Sequence, residues 1–514
     1  MHNMESLSPQ RRETVAVIGS GMAGLVTAHL LVCDKEKGRG RFEVEVLEMQ
    51  EKLSLDSASY TLPSSSASEA KDEKSGREGQ RVDLPMRAFA AGYYDNLRKM
   101  YEYLGVRFAE PKFVYSLSTL SGDSNGDDDG DSDSDNISTS LCKKPNDGIY
   151  FIHSSNNHIL PPIRPSGISA AKWVVEIAYL LFWYIWFTAA CFLVEPKASR
   201  SGLKKSGETL GAYLARVNIP TYYTWRYLLP LMSSITTCTH HELLNFPASD
   251  IVGYARQTHR KPHYTVTGGV QAAEAKLSSG LSVKFNTRVT NVESIDGAKV
   301  RVSWITQGEA ASKIYDRAII AVTPDVVGKI FAPLRDAMSA IPTTTVQTVV
   351  HRDFARVERY SAYLRDDPRL QKREFKSVLD SSSVDLARPP LTAMHMVTDL
   401  DSSRTESIHE HPARVLVTTY ALEGGIDESK ILHRVDFTRV LRTARSQAVV
   451  NSIFSTEPAD HSPVDEKKKA WKSGDGNVFI VGGWCWDGMV LLEGCIVSAM
   501  RVADALGVDV PWDR

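Results

Sequence analysis

Thr14-Val-Ala-Val-Ile-Gly19-Ser20-Gly21-Met-Ala23-Gly24 decides the fold of this chain. Residues 14–18 read as a short buried strand, and Leu25 to Val32 reads as an apolar helix. Between them lies Gly19-x-Gly21-x-x-Gly24, the spacing of a dinucleotide-binding turn. The first glycine serves the tight turn, the second lets a pyrophosphate approach the backbone, and the third lets helix and strand pack closely. Phe42-Glu-Val-Glu-Val-Leu-Glu48 then alternates as a second strand and ends in an acid. A carboxylate there accepts hydrogen bonds from ribose hydroxyls.

The length, 514 residues, exceeds one simple core, so two or three domains are expected. Charge is close to balanced, with 60 basic and 62 acidic residues, which argues against nucleic acid as a partner. Six cysteines are scattered without a CxxC pair, and His240-His241-Glu242 lacks the HExxH spacing. A reduced compartment and no metal site are expected. Met1 to Glu13 is polar, with no apolar core of a secretory leader. The expected location is therefore intracellular, cytoplasmic or peripheral to a membrane. Asn136-Ile137-Ser138 is a glycosylation acceptor by pattern only.

Two stretches are low in complexity. Ser57 to Gly79 is rich in Ser, Lys and Glu, and Ser121 to Asn136 carries seven aspartates. The second approximates a calcium loop at Asn125-x-Asp127-x-Asp129-Gly130, but Asn136 stands where a bidentate Glu is needed. A solvated acidic insertion over 116–149 is expected. Ile177 to Val194 runs 18 residues without a charge, the length of a membrane span. The dinucleotide-binding parts before and after it must build one domain, so one crossing is excluded. Two readings remain: a buried helix roofing an apolar substrate cavity, which is favoured, or a helix lying in a membrane surface. Basic residues follow it at Lys197, Arg200, Lys204 and Lys205.

A second strand–glycine–helix unit closes the chain: Val478-Phe-Ile-Val-Gly482-Gly483-Trp484-Cys-Trp486-Asp-Gly488, then Leu491-Leu492-Glu493-Gly494. Its glycines would admit the other end of a cofactor, and the helix N-terminus would favour negative charge there.

With Val82-Asp-Leu-Pro-Met-Arg-Ala-Phe89, Tyr264-Thr-Val-Thr-Gly-Gly-Val270 and Ile319-Ile-Ala-Val-Thr-Pro324, these motifs cover nearly the whole chain. In their order the sequence resembles the flavin-containing amine oxidase and phytoene desaturase superfamily, which binds FAD on a split Rossmann domain. It is more closely similar to a branch marked by His351-Arg-Asp353, the Tyr93 to Val106 run and the Leu506 to Trp512 ending.

The resemblance implies an α/β fold: a split Rossmann-type FAD-binding domain with a mixed α+β substrate domain. FAD-binding parts would occupy 1–115, 266–330 and 441–514, and the substrate domain 150–265 and 331–440. Gly19, Ser20, Gly21, Ala23 and Gly24 would hold the pyrophosphate. Glu48, with Met49 beside it, would bind the adenosine ribose, and Val289 would meet the adenine through its backbone. Pro85, Met86 and Arg87 would lie near the isoalloxazine ring, and Gly483, Leu492 and Glu493 near the ribityl chain and flavin. Leu53-Ser-Leu-Asp56 replaces the usual Gly-Gly-Arg at one phosphate or flavin contact. Trp484 replaces an acid, and Leu491 replaces an aromatic residue of the amine-oxidising cage. The lysine that amine oxidases place near flavin N5 has no counterpart.

The catalytic candidates are His351, Arg87 and Trp484. His351 suits proton transfer, or else is a structural histidine bonded to Asp353 or to backbone. Arg87 would stabilise an anionic flavin or oxyanion, or form an ion pair. Trp484 and Trp486 face the flavin or pack in the core. The function expected is FAD-dependent dehydrogenation or desaturation of a lipophilic, specialised small molecule. A redox-neutral isomerase or cyclase, and a non-catalytic cofactor-binding protein, are the alternatives.

Overall fold

The computed structural model describes residues 11–34, 40–57, 59–62, 81–84, 88–120, 148–154, 160–165, 167–197, 207–295, 299–365, 367–371, 392–422, 425–454 and 470–513. Pro85, Met86 and Arg87, the aspartate-rich run 121–136, Asn136-Ile137-Ser138, Cys142 and most of 57–79 lie outside these residues.

In chain order, the elements that shape the site begin with β1 (Glu13–Ile18), α1 (Met22–Val32), β2 (Phe42–Leu47) and α2 (Asp95–Tyr103). Then come β3 (Phe113–Thr119), β4 (Ile149–Ser154), α3 (Ala170–Leu193) and α4 (Ala248–Thr258). Next are β5 (Ser282–Lys284), β6 (Thr287–Ile295), β7 (Lys299–Thr306), β8 (Glu309–Tyr315) and β9 (Arg317–Ile320). β10 (Thr343–His351), α5 (Ala355–Arg365), β11 (Thr392–Asp399) and β12 (Arg404–His411) follow. The last are β13 (Val415–Thr419), β14 (Ile431–Val440), β15 (Val478–Ile480) and α6 (Leu492–Ala505).

A five-stranded parallel sheet has the order β5-β2-β1-β9-β15. Strands from residues 13–18, 317–320 and 478–480 therefore lie side by side, so both ends of the chain build one sheet. Alternation along β1 sends Val15 and Val17 to a core shared with α1 and α6. Ala16 and Ile18 go to the opposite face, against the three-stranded sheet β6-β7-β8.

A seven-stranded sheet, β14-β10-β13-β12-β11-β3-β4, forms the second layer system. β3 and β11 pair in parallel, and the other pairs are antiparallel. On one face Leu117 and Met396 join the core of the dinucleotide-binding half, and Val350, Val415 and Val417 pack on Val82 and Leu84. The other face carries Val397, Ile408 and Leu416, covered by Val357 and Tyr360 of α5.

The expectation of a buried roof helix is not met. Over α3 only Trp173, Phe187, Ala190 and Cys191 are buried, while Val175, Phe182, Ile185 and Leu193 are more than half exposed. Its inner face packs on α4 and neighbouring segments, whereas its outer face is uncovered among the described residues. Uniform apolarity around a helix gives no sequence signal for which face is inside.

Candidate active site

The three glycines of the first turn differ in what constrains them. Gly19 has φ +99°, and a Cβ there would meet the Ala321 carbonyl oxygen at 2.8 Å. A Cβ on Gly24 would meet the Gly19 carbonyl oxygen at 2.1 Å. Gly21 has φ −64° and ψ 170°, open to any residue, and nothing lies within 4 Å of a Cβ built on it. Neither conformation nor packing demands a glycine at 21. The open space there meets the N-terminus of α1, which no side chain caps. Its orphan N–H groups suit a pyrophosphate.

Glu48 is buried and organises this turn. Its Oε2 accepts the Ser20 N–H at 2.9 Å and the Ser20 hydroxyl at 2.6 Å, and its Oε1 accepts the Gln50 N–H at 2.8 Å. A carboxylate has about four acceptor positions, so capacity for a ribose hydroxyl is left. The Ser20 hydroxyl in turn accepts the Ser54 N–H at 2.9 Å. The Leu53–Asp56 stretch is thereby tied to the glycine turn through backbone. The backbone of Glu48 also accepts the Thr287 N–H at 2.8 Å, which sets the start of β6, and with it Val289, beside the ribose end. The Met49 side chain is half exposed.

The C-terminal unit meets the first turn directly. The Cys495 thiol, in the first turn of α6, lies within hydrogen-bonding reach of the backbone N–H groups of Ala23 and Gly483, and burial pushes it up to about 12. Ala23 is in the first turn of α1, so the two helix N-termini adjoin. No side chain caps α6 either. A Cβ on Gly494 would meet the Gly483 carbonyl oxygen at 2.4 Å, so the 483 loop is pressed onto α6. Gly483 and the backbone of Leu492 thus stand at the second helix N-terminus.

Glu493 does not present its carboxylate there. Oε1 accepts the Asn96 N–H at 3.0 Å and the Asn96 side-chain amide at 2.7 Å, and Oε2 accepts the Leu97 N–H at 3.0 Å. It caps α2, and burial raises its pKa. Its carboxylate is thereby committed to α2, and only its backbone stands at the start of α6. Trp484 is 3 % exposed, donates Nε1–H to the Val322 carbonyl at 3.2 Å, and packs among Val450, Ile453 and Trp304. Trp486 lies across Gly488 and Gly494 and donates Nε1–H to the Met489 carbonyl at 2.9 Å.

His351 also departs from the catalytic expectation. Its neighbour Val350 points toward Val82 and Leu84, so His351 points to the sheet face under α5. Nε2 is 2.8 Å from the Thr418 hydroxyl, and Nδ1 accepts the Asp353 N–H at 3.2 Å. Burial, helped by the nearby Arg356 charge, pushes its pKa down to about 4. Its partners are those of a structural histidine bonded at Asp353, and it lies on the sheet face opposite Leu117 and Met396.

Sequence reasoning missed an aromatic wall and its support. Tyr93 makes edge contacts with Tyr94 (5.1 Å), Tyr254 (4.8 Å) and Trp486 (5.8 Å). Burial raises all three tyrosine hydroxyls above their ordinary range, so they are neutral. Arg442 is fully buried, and its Nη2 donates to the carbonyls of Trp486 and Gly488, each at 2.8 Å. Its Nε faces Asp250 at 3.6 Å, and burial raises Asp250 to about 6 against the pull of Arg442. A lone arginine far from any motif carries no sequence signal for this role.

Residues 17–104 match a model for an NAD(P)-binding Rossmann-like domain. Residues 244–507, just over half the chain, match the flavin containing amine oxidoreductase model. The chain belongs to the flavin-containing amine oxidoreductase family. The cofactor of this flavin-containing amine oxidoreductase is FAD, and the open space at Gly21 between two uncapped helix N-termini fits it. No curated protein matches the amine oxidoreductase chain by sequence. Its fold is similar to the crystal structure of a CLA-producing fatty acid isomerase from P. acnes, at 12% identity and a TM-score of 0.55. That similarity covers 97% of this chain and 99% of the isomerase.

Proposed function

We propose that this family member is an FAD-dependent oxidoreductase that dehydrogenates a lipophilic, non-amine small molecule. The observation that carries the reading is the neutral aromatic wall of Tyr93, Tyr94, Tyr254 and Trp486 beside the C-terminal glycine loop. Such a wall excludes water and suits an apolar substrate, and Leu491 stands where the amine-oxidising cage would have an aromatic residue. When bound, FAD supplies a centre that takes a hydride from a C–H bond. The chain contributes the N–H groups of two helix N-termini to the phosphates and to charge on the flavin. Arg442 contributes by fixing the carbonyls of the 486–488 loop.

The structural neighbour, by its title a fatty acid isomerase, supports the lipophilic substrate class and favours one second reading, a redox-neutral isomerase. Product mass separates the two. The FAD-loaded protein is incubated with long-chain unsaturated and polycyclic compounds, with and without an electron acceptor. A product short of two hydrogens, formed only with the acceptor, supports dehydrogenation. A product of unchanged mass, formed without it, supports the isomerase, and turnover confined to amines defeats both.

A further inference from the structure

α3 is apolar all round, yet it lies along the protein surface. Val174, Leu181, Phe182, Ile185, Trp186 and Leu193 are all exposed. At 3.6 residues per turn they fall within an arc of roughly 140°. The one acid of the helix, Glu176, lies outside that arc. It accepts the hydroxyls of both Tyr222 and Tyr227 on the protein side. The inner face is anchored elsewhere as well. The Tyr213 hydroxyl donates to the Ala190 carbonyl at 2.8 Å, and Trp186, at the edge of the exposed arc, reaches back to donate Nε1–H to the Val217 carbonyl at 2.8 Å.

We infer that the outer face of α3 docks the protein in the plane of an anionic lipid bilayer. A crossing is incompatible with an inner face held to the protein by Glu176 and these hydrogen bonds. An in-plane helix needs only one apolar face, with aromatic residues at headgroup depth. Phe182 and Phe192 supply them within the exposed arc, and the ring of Trp186 lies at its edge. The rim is cationic. Lys172 lies at one end of the helix and Lys197 beyond the other, both exposed. Phe192 touches His259, next to the exposed Arg260 and Lys261. The exposed Glu195 is matched by Arg256 at 2.8 Å. A second copy of the chain is the weaker occupant. The strip is about 36 Å by about 10 Å, so pairing two would bury about 700 Å², short of the about 1,200 Å² of a stable interface. The inference stands apart from the substrate assignment.

Flotation of the FAD-loaded full chain with phosphatidylcholine vesicles, with and without phosphatidylserine, tests it. The variant is F182E/I185E and the control is F182L/I185L. Flavin absorbance and melting temperature report folding for both. The wild type and the control should float with the mixed vesicles, and the acidic variant should bind at least tenfold less while keeping its flavin. Absence of flotation by the wild type would overturn the inference. So would equal flotation of wild type and acidic variant, or a wild-type dimer in solution that F182E/I185E abolishes without vesicle binding by the wild type.

Discussion

Gly21 and Gly24 are three residues apart in one motif, yet alanine should act on them in opposite ways. At Gly24 a Cβ would sit 2.1 Å from the Gly19 carbonyl oxygen, so Gly24→Ala must push α1 off β1. A loss of several kcal/mol, or failure to fold, is expected, as for overpacking against backbone. At Gly21 the Cβ meets nothing. Gly21→Ala should leave the melting temperature of the FAD-free protein within about 1 °C and weaken FAD binding at least tenfold in a titration, because the methyl occupies ligand space. Equal loss of stability in both variants would contradict the assignment of that space. His351 belongs to the same scale. Its pKa, and that of the buried His240, falls from 6.5 unfolded to about 4 folded. Their contribution to stability is therefore complete above pH 6.5 and is lost as pH falls through about 4. Each histidine adds a slope of about 1.4 kcal/mol per pH unit in that window. Denaturant unfolding between pH 6 and 4.5 should show a markedly shallower slope for His351→Gln than for the wild type. Substrate turnover at pH 7.5, normalised to bound FAD, should change little.

Among the elements, α2 and α6 are joined by Glu493, whose carboxylate receives three donors at the start of α2. Glu493→Ala removes a charge-assisted cap from a buried helix start and should cost about 2–4 kcal/mol, read as a lower denaturant midpoint. Arg442→Met should be destabilising at pH 8, because the buried Asp250 loses the cation that faces it and keeps only neutral partners such as Gln447. Without the pull of Arg442 the Asp250 carboxyl should titrate above about 6, so part of that loss should be recovered as pH falls from 8 to 6. The first two strands were legible because their pattern is local: β1 and β2 lie where the runs 14–18 and 42–48 put them. The orientation of side chains between elements was not legible. Glu493 opens a helix in a motif that signals flavin contact, but a carboxylate turns toward whichever helix start lies within reach, and only the fold puts α2 there. His351 ends a strand, and the sheet face it occupies depends on which strands flank it.

At the scale of the molecule, residues 13–18 and 478–480 lie in one parallel sheet, with 317–320 between them. That arrangement was foreshadowed by two distant glycine segments, since neither half-site holds a dinucleotide alone. What the sequence withheld was the relation of that site to the second sheet, because contacts such as those of Met396 and Leu117 with the dinucleotide-binding core are set by tertiary packing. The central claim is that FAD at this site takes electrons from a lipophilic donor. The direct measurement is the flavin absorbance near ~450 nm during anaerobic mixing of the FAD-loaded protein with long-chain, polycyclic and amine compounds. A lipophilic donor should bleach the band, amines should leave it unchanged, and air should restore it. Bleaching by amines alone would contradict the claim, as would turnover of a lipophilic compound to an isomer with the band intact throughout.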